Sequence, residues 1–190
     1  MTTLTHYNFT RATPSDVESV LRIVNQANAR VEYRNPEALR TTQEKVAALV
    51  EEETLFVLKK EDDTGENQIL ATVTLTTVES LQNVKSMEIG MLAVDPKFQG
   101  KGIGHCLLEE LLKRIFFIEL CEHACLSVFS LDGEKLSQFY ERIGFQRSTT
   151  PPSKVNQAYL HTLLHPSILE NQNPSPVMAI RYELFRSSYK

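Results

Sequence analysis

The chain has 190 residues, 42% of them apolar and 23% charged, with a net charge of −4 and an isoelectric point near 5.8. This length can bury one sizeable core and no Pro-, Gly- or Ser-rich linker divides it, so we expect one domain over residues 1–190. The scattered Lys and Arg residues argue against a nucleic-acid partner. The sequence shows neither a leader pattern nor an apolar run of ~20 residues, so we expect a cytoplasmic protein with no membrane partner.

The first part of the chain alternates between strand and helix patterns. Residues 7–12 predict a short strand, and Pro14 suits the first position of the helix that follows. After a polar connection over residues 29–40, Thr41 and Glu44 predict a capping box at the start of a second helix.

Three further segments predict neighbouring strands joined by short loops. Residues 55–58 form a brief apolar run, and residues 69–78 alternate between apolar positions and the threonines at 72, 74 and 76. This alternation predicts a strand with one wetter face. Residues 87–94 form the next strand, which we expect to be an antiparallel neighbour. Residues 124–129 predict another strand, parallel to it because a helix connects the two.

The stretch over residues 87–112 joins a buried strand, a glycine-rich turn and an amphipathic helix. The helix continues beyond residue 112, and its apolar residues recur at helical spacing: Leu107, Leu108, Leu111, Leu112, Ile115 and Ile118. The first turn of a helix offers free backbone N–H groups and positive potential, which favour an anion. Gly100, Gly102 and Gly104 carry no Cβ that would hold a phosphate away, and glycine tolerates positive φ.

The glycine turn matches neither of two widespread phosphate loops. A P-loop needs Ser or Thr after Gly-Lys, and here Gly102 follows Lys101; the dinucleotide fingerprint needs a third glycine where His105 stands. The segment Gln99-Gly100-Lys101-Gly102-Ile103-Gly104, preceded by residues 92–96, instead closely resembles the acyl-coenzyme A signature of the GNAT N-acetyltransferase superfamily.

A second segment carries the same resemblance. Residues 136–145 place Tyr140 four positions before Gly144-Phe145, on a helix that we expect Asp132 to cap and Gly144 to end. Gly133 departs from the asparagine that the family often has seven residues before the tyrosine. The resemblance implies an α/β (α+β) fold: one GNAT domain with a mixed, mostly antiparallel sheet of about six to seven strands, splayed at residues 87–94, and about four helices.

The resemblance also implies a site for acetyl-CoA as the acyl-donor cosubstrate. The backbone of Leu92, Ala93 and Val94 would line the pantetheine arm, with one N–H near Ala93 offered to the thioester oxygen. The amides from Gly100 to His105 would take the pyrophosphate, and Lys101 either adds charge to a coenzyme phosphate or points to water. The implied cofactor-binding set is Leu92, Ala93, Val94, Gln99, Gly100, Lys101, Gly102, Ile103, Gly104 and His105.

Two side chains are the candidate catalytic groups. Tyr140 is the candidate general acid because a phenol with a pKa near ~10 stays protonated at neutral pH; otherwise it is a core tyrosine. Glu88 lies where several GNAT enzymes carry a glutamate that accepts the amine proton. A carboxylate is a weak base for an alkylamine, so Glu88 either gains strength from burial or attracts the cation; otherwise it sits in a salt bridge.

The acceptor is the least defined part of the prediction. Arg30, Tyr33 and Arg34 lie in the connection that borders the acceptor site in this family, and the arginines suit a carboxylate or phosphate. Residues 148–176 are interpreted as a substrate-specificity insertion near the acceptor site, with a surface loop as the alternative. A small-molecule amine is the first choice; protein lysine or N-terminal acetylation and a non-catalytic acyl-CoA-binding domain are the alternatives. For the oligomeric state, a homodimer is one candidate.

The cysteines and histidines predict no metal centre. Cys106, Cys121 and Cys125 are an odd number without CxxC spacing, and the five histidines lack HxxxH spacing. We expect three free thiols that behave as small hydrophobic groups. No neighbouring motif supports a catalytic thiol.

Overall fold

The computed structural model describes residues 7–31, 34–61, 67–79, 84–155, 164 and 177–189. The chain divides into two compact units. The first comprises Met1–Asn28, Leu39–Leu75 and Met91–Leu112, and the second comprises Ala29–Ala38, Thr76–Gly90 and Lys113–Lys190.

The described ranges contain eight strands and four α-helices. The strands are β1 (Tyr7–Arg11), β2 (Leu55–Glu61), β3 (Asn67–Glu79), β4 (Lys85–Val94), β5 (His123–Phe129), β6 (Gln146–Arg147), β7 (Ser153–Lys154) and β8 (Met178–Phe185). The helices are α1 (Val17–Ala29), α2 (Gln43–Glu51), α3 (Ile103–Lys113) and α4 (Gly133–Ile143). The strand order is β1-β2-β3-β4-β5-β8-β6, with β7 on β8. β4 and β5 are parallel, whereas the pairs of β1 with β2, β2 with β3 and β5 with β8 are antiparallel, which confirms the predicted fold class.

The core of the first unit lies between the helices α1 and α2 and the strands β2, β3 and β4. Burying each aliphatic side chain of this kind contributes about 1.5–3 kcal/mol relative to leaving it in water. The fully or almost fully buried members are Val20, Ile23, Val24, Val46, Leu55 and Val57. The buried residues of α1 recur at helical spacing, so one side of this helix faces the core.

The start of α2 differs by one residue from the prediction. Thr42, not Thr41, is the N-cap, and its hydroxyl accepts a hydrogen bond from the Lys45 amide at 3.4 Å. Thr41 is buried instead, and its amide and carbonyl both bind the side chain of Asn25, each at 3.1 Å. The capping box was misplaced because adjacent threonines satisfy the same sequence pattern and only the tertiary contact of Thr41 distinguishes them.

The prediction of a wetter face on β3 was wrong over most of the strand. Thr72 and Thr74 are buried, whereas Thr76 is exposed. The hydroxyl of Thr72 donates to the carbonyl of Phe56 at 3.1 Å, so the buried polar group is satisfied. Threonine alternation therefore marked a strand but not its solvent side.

In the second unit, β5 lies between β4 and β8, and α4 follows β5. Gly144 ends α4 in the left-handed conformation with φ of +109°, as expected. Asp132 is the N-cap residue of α4 as predicted, but its side chain makes no capping hydrogen bond; its Oδ2 instead accepts a hydrogen bond from the Phe129 amide at 2.9 Å. The side chain thus closes the turn that precedes the helix.

The predicted row of apolar residues on α3 is wrong at its last member, Ile118. The helix passes into a π-helical turn over Arg114–Ile118, which rotates the last side chains relative to the 3.6-residue period. As a result Ile118 is 65% exposed, and Phe116 is buried in its place. Over the described residues, no helix has the length and apolar character needed to cross a membrane.

Candidate acyl-donor and acceptor sites

The turn after β4 leads directly into the N-terminus of α3. The amide of Cys106 makes a helical hydrogen bond to the carbonyl of Gly102 at 3.0 Å, so the preceding amides of residues 103–105 have no acceptor within the helix. The first turn of α3 contains no acidic side chain, which leaves the positive end of the helix dipole available. This is the local chemistry of an anion site.

Two glycines give the turn its conformation. Gly100 has φ of +75° and Gly102 has φ of +80°, values that other residues adopt only with strain. A Cβ built at either position would meet no atom within 4 Å, so space outside the turn is open. Gly104 lies in the first turn of α3 and is not among the positive-φ glycines. These features fit a pyrophosphate group approaching the backbone.

Asp95 anchors the start of the turn. Its carboxylate accepts hydrogen bonds from the Arg22 guanidinium at 2.8 Å and the Lys97 amide at 2.9 Å, and its own amide donates to the Leu70 carbonyl at 2.8 Å. Burial opposes the charge on Asp95, but these donors outweigh it and lower the pKa of the carboxyl. This anchor was not among the predicted site residues, although an aspartate before Pro96 at a strand end is a recognisable turn signal.

The polar side chains of the turn have local partners. Gln99 donates from Nε2 to the Val94 carbonyl at 3.1 Å and so helps to close the turn. The Lys101 Nζ lies 5.3 Å from the centroid of the Phe98 ring. The predicted phosphate contact of Lys101 remains a prediction, as do the roles of the other residues in this set.

The end of β4 has an unusual backbone. Met91 has φ of +43°, which is rare for a residue other than glycine and often marks a functional position. The parallel register of β4 with β5 covers Ser86 to Ile89, and β4 continues to Val94. Leu92 and Val94 are half-buried, and Ala93 is buried.

Tyr140 lies on α4 in the second unit and is only 7% exposed. Its ring packs edge-on against Phe139 and Phe145 and lies 6.4 Å from the ring of Tyr182. Burial, assisted by the negative charge of Asp132, raises the pKa of the phenol well above its ordinary value. The group therefore stays protonated at any physiological pH.

Glu88 lies on β4 directly beside Cys125 of β5. Its side chain is half-buried. Among the residues that the structure describes, Glu88 has no ion-pair partner. The salt-bridge explanation for this glutamate therefore gains no support from the described contacts.

The two described arginines of the predicted acceptor region differ in their surroundings. The guanidinium carbon of Arg34 lies 5.3 Å from the centre of the Phe129 ring, and the Arg34 backbone forms a β-bridge with Leu164. Arg30 is exposed just after the end of α1. Tyr33 lies outside the described residues, as does most of the predicted insertion over residues 148–176.

The sequence match now decides the family. A model of the GNAT acetyltransferase domain matches residues 51–147, which include β4, the glycine turn, α3 and α4. The chain belongs to the GNAT acetyltransferase family. Among curated proteins, no sequence matches this GNAT chain.

Solved structures share the fold at low sequence identity. The acetyltransferase yncA of Salmonella typhimurium, solved with acetyl-CoA, is 14% identical, with a TM-score of 0.66 and coverage of 97% of this chain and 96% of that one. Spermidine N-acetyltransferase from Vibrio cholerae, solved with CoA and spermine, is 17% identical, with a TM-score of 0.66 and coverage of 96% and 97%. The NatC complex bound to a Gag peptide and CoA is 14% identical, with a TM-score of 0.64 and coverage of 95% and 98%.

The predicted GNAT site residues fall in both units. The first unit contains the complete predicted coenzyme set, from Leu92 to His105. The second contains Tyr140, Glu88, Arg30 and Arg34. Arg181 of β8, which also lies in the second unit, was not among the predicted site residues.

Proposed function

We propose that this GNAT domain transfers an acetyl group from acetyl-CoA to the primary amine of a small molecule, by direct attack in a ternary complex. The observation that carries the proposal is the turn between β4 and α3. Its two positive-φ glycines leave open space beside a helix N-terminus without acidic side chains. The family match supports the pyrophosphate of a CoA thioester as the anion that binds at this turn.

Backbone groups make the proposed contacts with acetyl-CoA. The amides from Gly100 to His105 receive the pyrophosphate, because free N–H groups and the helix dipole both favour a dianion there. The backbone of residues 92–94 runs beside the pantetheine arm in the manner of an added strand. The N–H near Ala93 polarises the thioester carbonyl and stabilises the charge that develops on its oxygen.

The reaction itself needs a proton acceptor and a proton donor. The neutral amine nitrogen attacks the thioester carbon, the carbon–sulfur bond breaks, and the sulfur departs with the electron pair. Tyr140 gives its phenolic proton to that sulfur, and its raised pKa keeps the phenol protonated, so that the proton is present when the sulfur departs. Glu88 attracts the ammonium form of the acceptor and accepts the proton that the amine loses.

For the acceptor, a small amine is the first proposal. The Vibrio cholerae neighbour, solved with spermine, is an example of this fold with a polyamine. A protein lysine or N-terminus is the second candidate, and the neighbour bound to a Gag peptide favours it. A domain that binds acyl-CoA without catalysis is the third.

One experiment separates the three candidates. Purified protein is mixed with acetyl-CoA and a panel of amines, amino acids and peptides, and the release of free CoA thiol is followed. Release with small amines supports the first proposal, whereas release with peptides alone supports the second. Binding of acetyl-CoA without release on any acceptor, in both the wild type and Tyr140→Phe, supports the non-catalytic domain.

A further inference from the structure

One face of the sheet in the second unit is polar. Residues directly opposite each other on neighbouring strands share a face, and the register places Glu88, Cys125 and Glu183 side by side across β4, β5 and β8. Arg181 shares this face because side chains alternate along a strand, and it lies two residues before Glu183. The opposite face carries apolar residues such as Leu126, Tyr182 and Leu184, which are buried.

Arg181 is held in place on this face by two contacts. Its Nε lies 3.2 Å from Oε1 of Glu183, and its Nη2 donates to Sγ of Cys125 at 3.0 Å. Burial raises the pKa of the Cys125 thiol to about 11, so the sulfur is an uncharged acceptor at neutral pH. Glu183 and Cys125 therefore orient the guanidinium, and only Glu183 offsets its charge.

The guanidinium of Arg181 retains donors for another group. Arginine carries five N–H donors, and the two contacts above use two of them. The side chain is 39% exposed, so the remaining donors are open to a ligand. A planar fork of this kind matches a carboxylate in two-point geometry better than it matches a neutral group.

A negative group lies on the other side of the same thiol. Glu88 and Glu183 flank Cys125 on neighbouring strands, so their backbones are about 10 Å apart at the usual strand spacing. Arg181 reaches back from β8 to Cys125, which brings its positive charge closer to Glu88 than the strand spacing alone. The face thus presents a carboxylate that has no ion-pair partner among the described residues and an oriented guanidinium, at a spacing that suits a small zwitterion.

We propose that Arg181 binds the carboxylate of the acceptor, so that the acceptor is an amino acid or a similar amine that carries a carboxylate. Glu88 attracts the ammonium group of the same molecule, and Glu183 and Cys125 position Arg181. The inference rests on the proposed function, because it names the acceptor class of that reaction. It places the anion contact at Arg181, whereas the resemblance to the family placed it at Arg30 and Arg34.

The test uses matched pairs of ligands on the complete protein. Each common amino acid is paired with the amine that lacks its carboxylate, for example leucine with 3-methylbutylamine and phenylalanine with 2-phenylethylamine. Binding of each member is measured by calorimetry in the presence of CoA, and thiol release from acetyl-CoA is measured separately. The proteins are the wild type, Arg181→Gln, Arg181→Lys and the control Arg147→Gln, which changes an exposed arginine on the opposite face.

We expect the wild type to prefer the carboxylate-bearing member of at least one pair. In Arg181→Gln its Kd should rise by about 10- to 100-fold, as expected for lost hydrogen bonds to a charged group, while the Kd of the paired amine stays constant. Arg181→Lys should restore part of the preference by charge, and Arg147→Gln should leave it unchanged. Acetyl-CoA affinity should be the same in all four proteins.

The two measurements keep this inference separate from the proposed function. Arg181-dependent binding of amino acids without any thiol release supports the inference and contradicts the transferase proposal. Thiol release on amines with no preference for a carboxylate supports the transferase and overturns the inference. Failure of the wild type to bind any amino acid, or an equal loss of both pair members in Arg181→Gln, also overturns it.

Discussion

The guanidinium of Arg22 on α1 lies 2.8 Å from the carboxylate of Asp95, the residue that follows β4. Asp95 is only 1% exposed, and it also accepts a hydrogen bond from the Lys97 amide. This relationship ties the start of the glycine turn to a helix packed in the core of the first unit. The position of the turn therefore depends on a contact across 73 residues of sequence.

Asp95→Asn should destabilise the protein in a pH-dependent way. The folded-state pKa of Asp95 is lowered, so its contribution is complete above the unfolded-state pKa of ~3.9 and is lost as pH falls through the lower, folded-state pKa. At pH 7 we expect a loss of about 1–2 kcal/mol in the free energy of unfolding, because Arg22 is 40% exposed and water screens the pair. Below about pH 4 the difference from wild type should shrink.

Urea unfolding at pH 7 and at pH 3 measures this effect. Glu51→Gln is the control, because Glu51 is an exposed carboxylate at the end of α2. Asp16 is a second carboxylate with a lowered pKa: burial disfavours its charge, but contacts with Lys59 and Thr13 outweigh burial. Asp95→Asn should therefore keep part of the acid sensitivity of the wild type. A stability difference that is equal at both pH values would contradict the role assigned to the Asp95 carboxylate.

Gly102→Ala should weaken both the fold and coenzyme binding. Alanine at φ of +80° costs about 1–2 kcal/mol, although the Cβ itself meets no neighbour. The strained turn should then present its amides less well, and the Kd for acetyl-CoA should rise. Urea unfolding and calorimetry measure the two effects.

Gly104→Ala is the matched comparison for this turn. Gly104 lies in the first turn of α3, where alanine is favoured by up to about 1 kcal/mol, so stability should be unchanged or increased. The added Cβ should still weaken acetyl-CoA binding if a phosphate approaches this backbone. Unchanged affinity in both glycine variants would argue against the pyrophosphate position.

Tyr140→Phe should separate chemistry from binding. Removing the phenol should lower kcat by about 100-fold or more while leaving acetyl-CoA affinity within experimental error. Because the pKa of Tyr140 is raised, wild-type kcat should show no loss from its ionisation up to about pH 10. Tyr182→Phe, which alters a buried ring beside Tyr140, is the control and should retain activity. Equal kcat values for wild type and Tyr140→Phe would exclude the general-acid role.

The three cysteines should react at different rates with a thiol reagent. Cys121 and Cys125 are buried, and burial raises the pKa of both thiols, whereas Cys106 is half-buried on α3. In the native protein we expect one faster phase, which Cys106→Ser removes, and three equivalents in denaturant. Rapid native labelling of Cys125 would contradict its assignment as a protonated, enclosed partner of Arg181.

Local patterns predicted the elements well, and contacts distant in sequence explain the differences. Gly102, Gly144 and the strand before Asp95 could be read from neighbouring residues, because turn and cap chemistry is local. Ile118 could not, since a π-helical turn changes the face that a helical residue presents. The contact of Arg181 with Cys125 joins residues 56 positions apart and follows from the β5–β8 register, which a single sequence does not specify.

The central claim is that the turn from Gln99 to His105 binds the pyrophosphate of acetyl-CoA. Calorimetric titration of the wild type with acetyl-CoA, beside acetyl-pantetheine that lacks the pyrophosphate and nucleotide, tests it most directly. We predict saturable binding of acetyl-CoA, and binding of acetyl-pantetheine that is weaker by about 10-fold or more because the charged hydrogen bonds are absent. No binding of acetyl-CoA, or equal affinity for the two ligands, would contradict the claim.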